Sequence, residues 1–250
     1  YSNGASERRV GELVQGKDVL IATKFPPSPF AREDIFPKAL EDSLARLQRN
    51  SIDLLQHHFP SGRISIPNLM NHMADAVEAG KVKAIGVSNY SADQMRLAHA
   101  ELAKRGVPLA SNQVQYSLLY RKPEIDGVLD ACRELGITLI AYSPLAQGAL
   151  TGKYSPETKA SGLRRFLPNF NRKAMEAVQP VLELVRQIGD RYGKSPSQVA
   201  LRWLIENESV LPIPGAKNSR QAAENVGALS FSLTAEEVQM LSQATVAWRV

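Results

Sequence analysis

The sequence contains a single cysteine, Cys132, among its 250 residues. One cysteine excludes an internal disulfide, a Cys-x-x-Cys redox centre and a multi-cysteine zinc site, and it is typical of a reducing compartment, so we expect a cytoplasmic protein. Uninterrupted apolar runs are also short, as in Val19–Ala22. Because a membrane-spanning helix requires about 18 or more apolar residues, the chain is predicted not to span a membrane.

Motifs of several enzyme classes are missing as well. None of the 16 glycines forms a Gly-x-Gly pair, which excludes the Rossmann fingerprint. There is no His-Glu-x-x-His pair, so no metal site is expected. Gly148–Lys153 resembles a phosphate loop, but three residues instead of four separate its glycines, and we reject that interpretation. The 30 Lys and Arg exceed the 25 Asp and Glu without forming a basic run, and we predict no nucleic-acid surface.

Short apolar runs alternate with longer amphipathic segments along the chain. Repeated strand-then-helix order predicts an α/β protein with parallel strands and crossover helices. The predicted strands are Asp18–Phe25, Ile52–Phe59, Val82–Tyr90, Leu109–Leu118, Ile137–Leu145 and Ser209–Gly215. The predicted helical segments are Glu33–Gln48, Ile66–Gly80, Ser91–Gly106, Pro123–Gly136, Lys173–Asn207, Ser219–Leu229 and Thr234–Ala244.

Helix boundaries are clearly marked in the sequence. Capping boxes begin at Ser91, Ser195 and Thr234, and glycines suited to C-terminal caps occur at Gly80, Gly106 and Gly136. The longest irregular stretch, Gln147–Asn171, is predicted to be a functional loop, since structureless loops of this length are uncommon.

Six strand–helix units are predicted, whereas a closed (β/α)8 barrel requires eight. Tyr1–Leu13 is interpreted as the end of a loop followed by a helix. We therefore expect residues 1–250 to form one barrel domain that lacks its first two units, with an open six-stranded sheet as the alternative.

Polar residues stand where the predicted strands end, among them Lys24, His58 and Asn89. The active sites of α/β barrels lie at the carboxyl ends of the strands. Each residue also has a purely structural interpretation: Lys24 as a side chain reaching solvent, His58 as a hydrogen-bonded core histidine, Asn89 as a helix cap. Because strand side chains alternate, His57 is expected to face away from His58. Because polar or special residues occur at all six predicted strand ends, we favour a shared functional site over separate structural roles.

Several separated phrases of the sequence carry a family resemblance. They are Tyr1-Ser-Asn-Gly-Ala-Ser-Glu7, Ala22-Thr-Lys-Phe25, Ile52-Asp-Leu-Leu-Gln56 before His58, Gly86-Val-Ser-Asn-Tyr90, Asn112-Gln113, Tyr142-Ser-Pro-Leu145 and Ile213–Asn218 followed by Glu224-Asn225. With them the chain resembles the aldo-keto reductases, (β/α)8-barrel oxidoreductases that use NAD(P)H. The resemblance implies Tyr1, Lys24 and His58 as catalytic residues. In this family a catalytic aspartate stands a few residues before the tyrosine, and this sequence starts at Tyr1. The activity is therefore assigned to the intact protein, which is expected to include that aspartate.

The resemblance also implies a set of cofactor-binding residues. Ser88, Asn89 and Gln113 would hold the nicotinamide carboxamide, and Tyr142 would stack on its ring. Lys217, with Arg220, favours NADPH over NADH. The remaining residues implied for the pyrophosphate and adenosine ends are Ser143, Leu145, Gln147, Gly148, Lys153, Gly215, Asn218, Gln221, Glu224 and Asn225.

The predicted function is NADPH-dependent reduction of an aldehyde or ketone, with a small-molecule carbonyl compound as partner and the oligomeric state left open. A different class, an NADPH-binding regulatory subunit of the channel-auxiliary type with little turnover, is the main alternative. A phosphosugar-binding barrel is a third interpretation, but it leaves Tyr1, Lys24 and His58 unexplained.

Overall fold

The computed structural model describes residues 2–25, 35–60, 64–158, 167 and 170–249. The strands are β1 (Ala22–Phe25), β2 (Ile52–His57), β3 (Val82–Ser88), β4 (Leu109–Gln115), β5 (Thr138–Tyr142) and β6 (Val210–Pro212). The α-helices are α1 (Ala5–Leu13), α2 (Ile35–Leu47), α3 (Ile66–Glu78), α4 (Ala92–Ala103), α5 (Val128–Leu135), α6 (Arg172–Tyr192), α7 (Pro196–Ile205), α8 (Ser219–Val226) and α9 (Ala235–Ala244). Each predicted strand is confirmed, and strands and helices alternate as the sequence indicates.

The chain separates into two compact units. The first unit contains Tyr1–Gln113 and Asp130–Thr138, and the second contains Val114–Leu129 and Leu139–Val250. In the first unit, β1 to β4 pair in parallel and in chain order. In the second unit, β5 and β6 also pair in parallel. In the described part of the chain, none of the helices has the length and apolar character needed to cross a membrane.

Local signals position the helices as the sequence predicts. Complete capping boxes are present at Ser91, Ser195 and Thr234. The glycines after three helices adopt the left-handed conformation that favours this residue, with φ of 70° at Gly80, 68° at Gly106 and 66° at Gly136. These contacts span only three or four residues, so they form wherever the residues occur together.

Two predicted helical segments are divided in the structure. Lys173–Asn207 forms α6 and α7, because Gly193 ends the first helix with φ 62° and the cap at Ser195 begins the second. Pro123–Gly136 forms a short 3-10 turn and then α5, with Gly127 at φ 80° between them. The capping box at Ser195 predicts the start of α7 inside the first segment, whereas the break at Gly127 is not predicted. At both breaks a residue with positive φ does not fit an α-helix.

A glycine permits close packing at the centre of the first unit. Gly86 on β3 lies between Gln56 on β2 and Ser111 on β4, and both polar side chains are almost completely buried. A Cβ atom at this position would lie 2.9 Å from Gln56 Cγ and closer still to Ser111 Oγ. The absence of a side chain at residue 86 thus makes room for its two buried neighbours.

Gly86→Ala should lower the free energy of unfolding by about 1–3 kcal/mol, the usual range for overpacking a filled interior. Chemical denaturation followed by circular dichroism measures this loss. The paired variant Gly86→Ala with Ser111→Ala removes the closest oxygen, so it should lose less than the sum of the two single variants. Strict additivity would show that the Ser111 hydroxyl is not the obstacle.

Candidate functional site

Lys24 and His58 lie near each other in the first unit, as the sequence predicts. Lys24 is on β1 and His58 directly follows β2, and the His58 backbone N–H donates to the Phe25 carbonyl at 3.1 Å. Burial lowers the pKa of the half-buried Lys24 amine. Partial burial, and next the positive charge of Lys24, lower the pKa of the His58 imidazole. His58 is therefore kept neutral near pH 7, with one ring N–H able to donate.

Ser88, Asn89 and Gln113 are also brought together in this unit. The Gln113 carbonyl accepts from Ser88 Oγ at 2.8 Å and from the Asn89 backbone N–H at 2.9 Å. Asn89 Nδ2 donates to the His58 carbonyl at 3.1 Å. Asn89 has φ 59°, a conformation that asparagine tolerates better than most residues. The cap of the following helix is Ser91, so the structural interpretation of Asn89 as that cap is wrong.

Tyr1, the predicted proton donor, lies outside the described residues, and the structure assigns it no position. The helix that follows it is anchored by Glu7, the last residue of the Tyr1–Glu7 phrase. One Glu7 carboxylate oxygen accepts from Thr23 Oγ1 at 2.6 Å and the other accepts from Arg46 Nε at 2.7 Å. Because Thr23 precedes Lys24 on β1, Glu7 connects the helix after Tyr1 to the strand that carries Lys24.

His57 has a different environment from His58, as the alternation of strand side chains predicts. It is 1% exposed, and its Nδ1 lies 2.8 Å from the Tyr90 hydroxyl. Burial first, and the neighbouring His58 charge second, lower the pKa of His57 from 6.5 to about 4. His57 is therefore neutral in the folded protein at physiological pH.

The lowered pKa of His57 predicts a loss of stability in mild acid. The unfolded chain binds a proton at His57 below pH 6.5, whereas the folded chain does so only near pH 4. Unfolding is thus favoured as the pH falls through this window, by about 3 kcal/mol at pH 4. Urea denaturation of the wild type and of His57→Asn at pH 7 and pH 4.5 separates this contribution from that of the carboxylates. An equal stability difference at both pH values would contradict the assignment.

The second unit contains a cavity of about 480 Å³. It lies beside the carboxyl ends of β5 and β6, where the sequence predicts the phosphate and adenosine contacts. Lys153 and Lys217 supply positive charge, and Glu224 supplies a carboxylate among the described lining residues. The predicted residues that line the cavity are Ser143, Leu145, Gln147, Gly148, Lys153, Gly215, Lys217, Gln221, Glu224 and Asn225.

Side-chain contacts shape the loop before α8. Asn218 caps the helix by accepting from the Gln221 N–H at 3.0 Å, and Gln221 Oε1 accepts from the Lys217 N–H at 2.8 Å. Asn225 Nδ2 reaches the Gly215 carbonyl at 3.5 Å. Gln221 and Asn225 thus hold the backbone of the loop that carries Lys217, a role that the sequence prediction missed.

The opposite wall of the cavity is a turn with unusual backbone angles. Ser143, Ala146 and Gln147 have φ between 47° and 59°, and Gly148 has φ 108°. Strained residues of this kind concentrate at ligand-binding loops. The turn ends at Gly152 with φ 71°. The structure therefore places Gly148, Thr151 and Lys153 at the cavity, on a short 3-10 helix (Ala146–Thr151) that is kinked at Gln147 and Gly148 and on the residues directly after it.

The cavity also contains residues that the sequence prediction omitted, notably Tyr154 and the buried Ser197. Tyr154 packs edge-on against Phe170 at 5.2 Å between ring centroids. Ser197 lies on α7, far from the other lining residues in sequence. An aromatic directly after Lys153 was a usable signal, whereas nothing local marks Ser197. Tyr142 and Asn218 were predicted as cofactor residues but are not among those lining the cavity.

Comparison with known proteins places these observations in context. A family profile described as the aldo/keto reductase family matches residues 1–245. The chain is 38% identical to the chloroplastic pyridoxal reductase of Arabidopsis thaliana, over 97% of this chain and 68% of that protein. These matches, with those to solved structures, confirm the predicted α/β fold class, that of the (β/α)8 barrels.

Two solved structures extend the likeness to three dimensions. The glycerol dehydrogenase of Gluconobacter oxydans matches with a TM-score of 0.87 and 27% identity, over 99% of this chain and 79% of that one. An aldo-keto reductase of Klebsiella pneumoniae in complex with NADPH matches with a TM-score of 0.78 and 27% identity, over 97% of this chain and 76% of that one.

Proposed function

Because the chain belongs to the aldo/keto reductase family and is an oxidoreductase, we propose that it reduces an aldehyde or ketone to the alcohol with NADPH. The observation that supports this most directly is the pair Lys24 and His58. Both groups are half-buried, and they lie close enough for the positive charge of Lys24 to lower the pKa of His58. A Lys at the end of one strand beside a neutral imidazole at the end of the next serves proton transfer at a carbonyl oxygen better than it serves packing.

Reduction of a carbonyl requires a proton donor for the oxygen, and we assign this role to Tyr1. NADPH, when bound, supplies the hydride to the carbonyl carbon. A free phenol has a pKa of about 10, so its phenolate is a high-energy product near pH 7. Matching the phenol to the working pH requires a pKa lower by roughly 3 units, or about 4 kcal/mol of preference for the charged form.

Lys24 supplies that preference. An ammonium group within a few ångströms of a phenol favours its ionisation, and the effect grows where water is partly excluded. Lys24 is half-buried, so its charge is less screened than that of a surface lysine. The contact of Glu7 with Thr23 supports the assignment, because it ties the helix after Tyr1 to the residue next to Lys24.

His58 orients the substrate. Its imidazole is neutral, and it therefore donates one hydrogen bond to the carbonyl oxygen without competing as an acid. The Asn89 side chain holds the His58 carbonyl, and the Phe25 carbonyl holds its N–H, so the backbone of His58 is fixed on both sides.

Each unit carries residues that we assign to cofactor binding. In the first unit, Ser88, Asn89 and Gln113 present hydroxyl and amide groups to the nicotinamide carboxamide. In the second unit, the cavity with Lys153 and Lys217 takes the phosphates and the adenosine. Its volume of about 480 Å³ and its two ammonium groups fit such a group, since binding pockets usually measure about 300–1,000 Å³. Tyr142 would offer a flat aromatic face for stacking on a ring of the cofactor.

Lys217 is the residue that selects NADPH over NADH. It is exposed, it lies in the loop before α8, and its backbone N–H is held by Gln221. A flexible ammonium at a helix N-terminus favours an additional phosphate monoester. Arg220, the second residue of α8, adds a second positive charge. Two further statements stay predictions from the sequence. They are that residues 1–250 form one barrel domain and that the protein is cytoplasmic.

Multiple-turnover kinetics test the proposed function. In the presence of an aromatic aldehyde, the protein should oxidise many equivalents of NADPH. The absorbance of NADPH measures this oxidation, and chromatography identifies the alcohol product. NADH at equal concentration should give a lower kcat/KM, and Lys217→Met should narrow the difference. Tight NADPH binding with fewer than one turnover would instead indicate the regulatory-subunit alternative. Absence of any NADPH binding would refute both.

A further inference from the structure

A buried polar cluster in the first unit is not used by the proposed mechanism. It consists of His57 on β2, Tyr90 two residues after the end of β3, and Asn112 on β4. Each of the three is at most 1% exposed. Tyr90 joins the other two: its hydroxyl lies 2.8 Å from His57 Nδ1, and its carbonyl accepts from Asn112 Nδ2 at 3.0 Å.

This cluster is a costly choice for a protein interior. Burial raises the pKa of Tyr90 and lowers that of His57, so both groups are neutral. His57 Nε2 and Asn112 Oδ1 are buried without a hydrogen-bond partner among the residues that the structure describes. An unsatisfied buried polar atom costs about 1–3 kcal/mol relative to an apolar replacement of the same shape. Core packing alone does not account for these side chains.

The neighbours of the cluster suggest its role. His57 precedes the proposed substrate-orienting residue His58, and Tyr90 follows the proposed nicotinamide residue Asn89. The same two dipeptides are joined twice, by His57 Nδ1 with the Tyr90 hydroxyl and by Asn89 Nδ2 with the His58 carbonyl. The bond between Asn89 and His58 joins the site residues themselves. The bond between His57 and Tyr90 joins their neighbours in the chain.

Asn112 extends the connection to the next strand. It holds the Tyr90 carbonyl, and the following residue, Gln113, holds the backbone N–H of Asn89. The backbone of Asn89 is left-handed, with φ 59°. Its own N–H is bonded to Gln113, and the carbonyl of the next residue, Tyr90, is bonded to Asn112. A residue in this conformation keeps it only where its surroundings determine it.

We infer that His57 and Tyr90 are positioning residues that fix where His58 and Asn89 lie, although neither touches the reacting atoms. This inference rests on the proposed function for the meaning of the positioned residues. Loss of either side chain leaves the strands paired but allows the two strand ends to move relative to each other. A displacement on the order of 1 Å lowers the rate of a positioned reaction by up to about a hundredfold.

The first test is a set of four variants in the complete protein. Tyr90→Phe removes one hydroxyl, His57→Leu removes the imidazole, and the double variant removes both. Each should lower kcat about tenfold with a small change in the KM for NADPH, and the double variant should lose no more than either single variant, because the pair acts as a unit. His57→Asn, which keeps a polar atom close to the position of Nδ1, should recover kcat to within about threefold of the wild type.

A matched control separates positioning from general destabilisation. Tyr116→Phe also removes the hydroxyl of a buried tyrosine, which here donates to Glu124 Oε1 at 2.9 Å in the second unit. It should lower the melting temperature without lowering kcat. An equal loss of kcat in Tyr116→Phe, or a double variant that loses the product of the two single effects, would overturn the inference.

A second readout does not depend on catalysis. The pKa of His58 is held below its usual range by burial and by Lys24. Proton NMR of the histidine ring should therefore show the His58 titration moving up toward 6.5 in Tyr90→Phe and staying unchanged in Tyr116→Phe. An unmoved His58 titration together with an unchanged kcat would refute the positioning role. A His58 titration that moves up in Tyr90→Phe, together with a wild type that shows no turnover, would instead refute the proposed function.

Discussion

Lys24→Met is expected to lower kcat for carbonyl reduction by about a thousandfold and to leave NADPH binding nearly unchanged. The size of the effect follows from the roughly 3 units by which the phenol pKa must be lowered, since each unit corresponds to a tenfold change in rate. Lys24 lies on β1 in the first unit, whereas the described residues that line the cavity assigned to the phosphates belong to the second unit. NADPH affinity is measured by fluorescence titration and kcat by NADPH absorbance.

The pH dependence of the reverse reaction makes this prediction more specific. In the proposed mechanism, alcohol oxidation uses the phenolate of Tyr1 as the base. Without the Lys24 charge the phenol returns to a pKa of about 10, so the oxidation rate of Lys24→Met should rise steadily toward pH 10. Lys38→Met, which removes an exposed lysine on α2, is the control and should behave as the wild type. A Lys24→Met variant with normal kcat, or with no rise at high pH, would contradict the role of the ammonium.

Tyr1→Phe should abolish multiple turnover with cofactor binding retained. General acid catalysis contributes about a hundredfold to ten-thousandfold, and removal of the hydroxyl should cost an amount near the upper end because the carbonyl oxygen then has no proton donor of suitable pKa. Stopped-flow absorbance at saturating NADPH and aldehyde measures the hydride step directly. The variant should fold normally, which thermal melting verifies.

The control for this substitution is another tyrosine with a hydrogen-bonded hydroxyl. Tyr192, the last residue of α6, donates to Glu237 Oε2 at 2.7 Å, and it is not one of the proposed site residues. Tyr192→Phe should alter stability and leave kcat within about twofold of the wild type. Unimpaired turnover in Tyr1→Phe would require a different proton donor and would remove the basis of the proposed mechanism.

The sequence predicts the elements well where the determining contacts are local. The caps at Ser91, Ser195 and Thr234 each depend on residues three positions apart, and all three begin helices as expected. The strands are shorter than their apolar runs: the run from Asp18 begins as β1 only at Ala22. Strand ends are set by the partner strand, and a single apolar run contains no information on where that partner stops.

The candidate site is predictable in part for the same reason. Strand-end residues such as Lys24 and Asn89 stand out because they interrupt apolar runs. Contacts between distant residues have no such signal: Glu7 meets Arg46 across 39 positions, and His57 meets Tyr90 across 33. Ser197 lines the cavity from a helix whose sequence is that of ordinary amphipathic packing. These contacts depend on tertiary structure, which spacing along the chain does not specify.

The described residues that line the 480 Å³ cavity all belong to the second unit, and this has a practical consequence for protein engineering. The lining comes from two short stretches, residues 143–154 and 213–225, together with Ser197. A library that randomises only the second stretch therefore explores coenzyme choice while every acid–base group of the first unit keeps its native sequence. Adapting such a reductase to a cheaper dinucleotide becomes a matter of exchanging one cassette of thirteen codons, with Gln221 and Asn225 retained to keep the loop in shape.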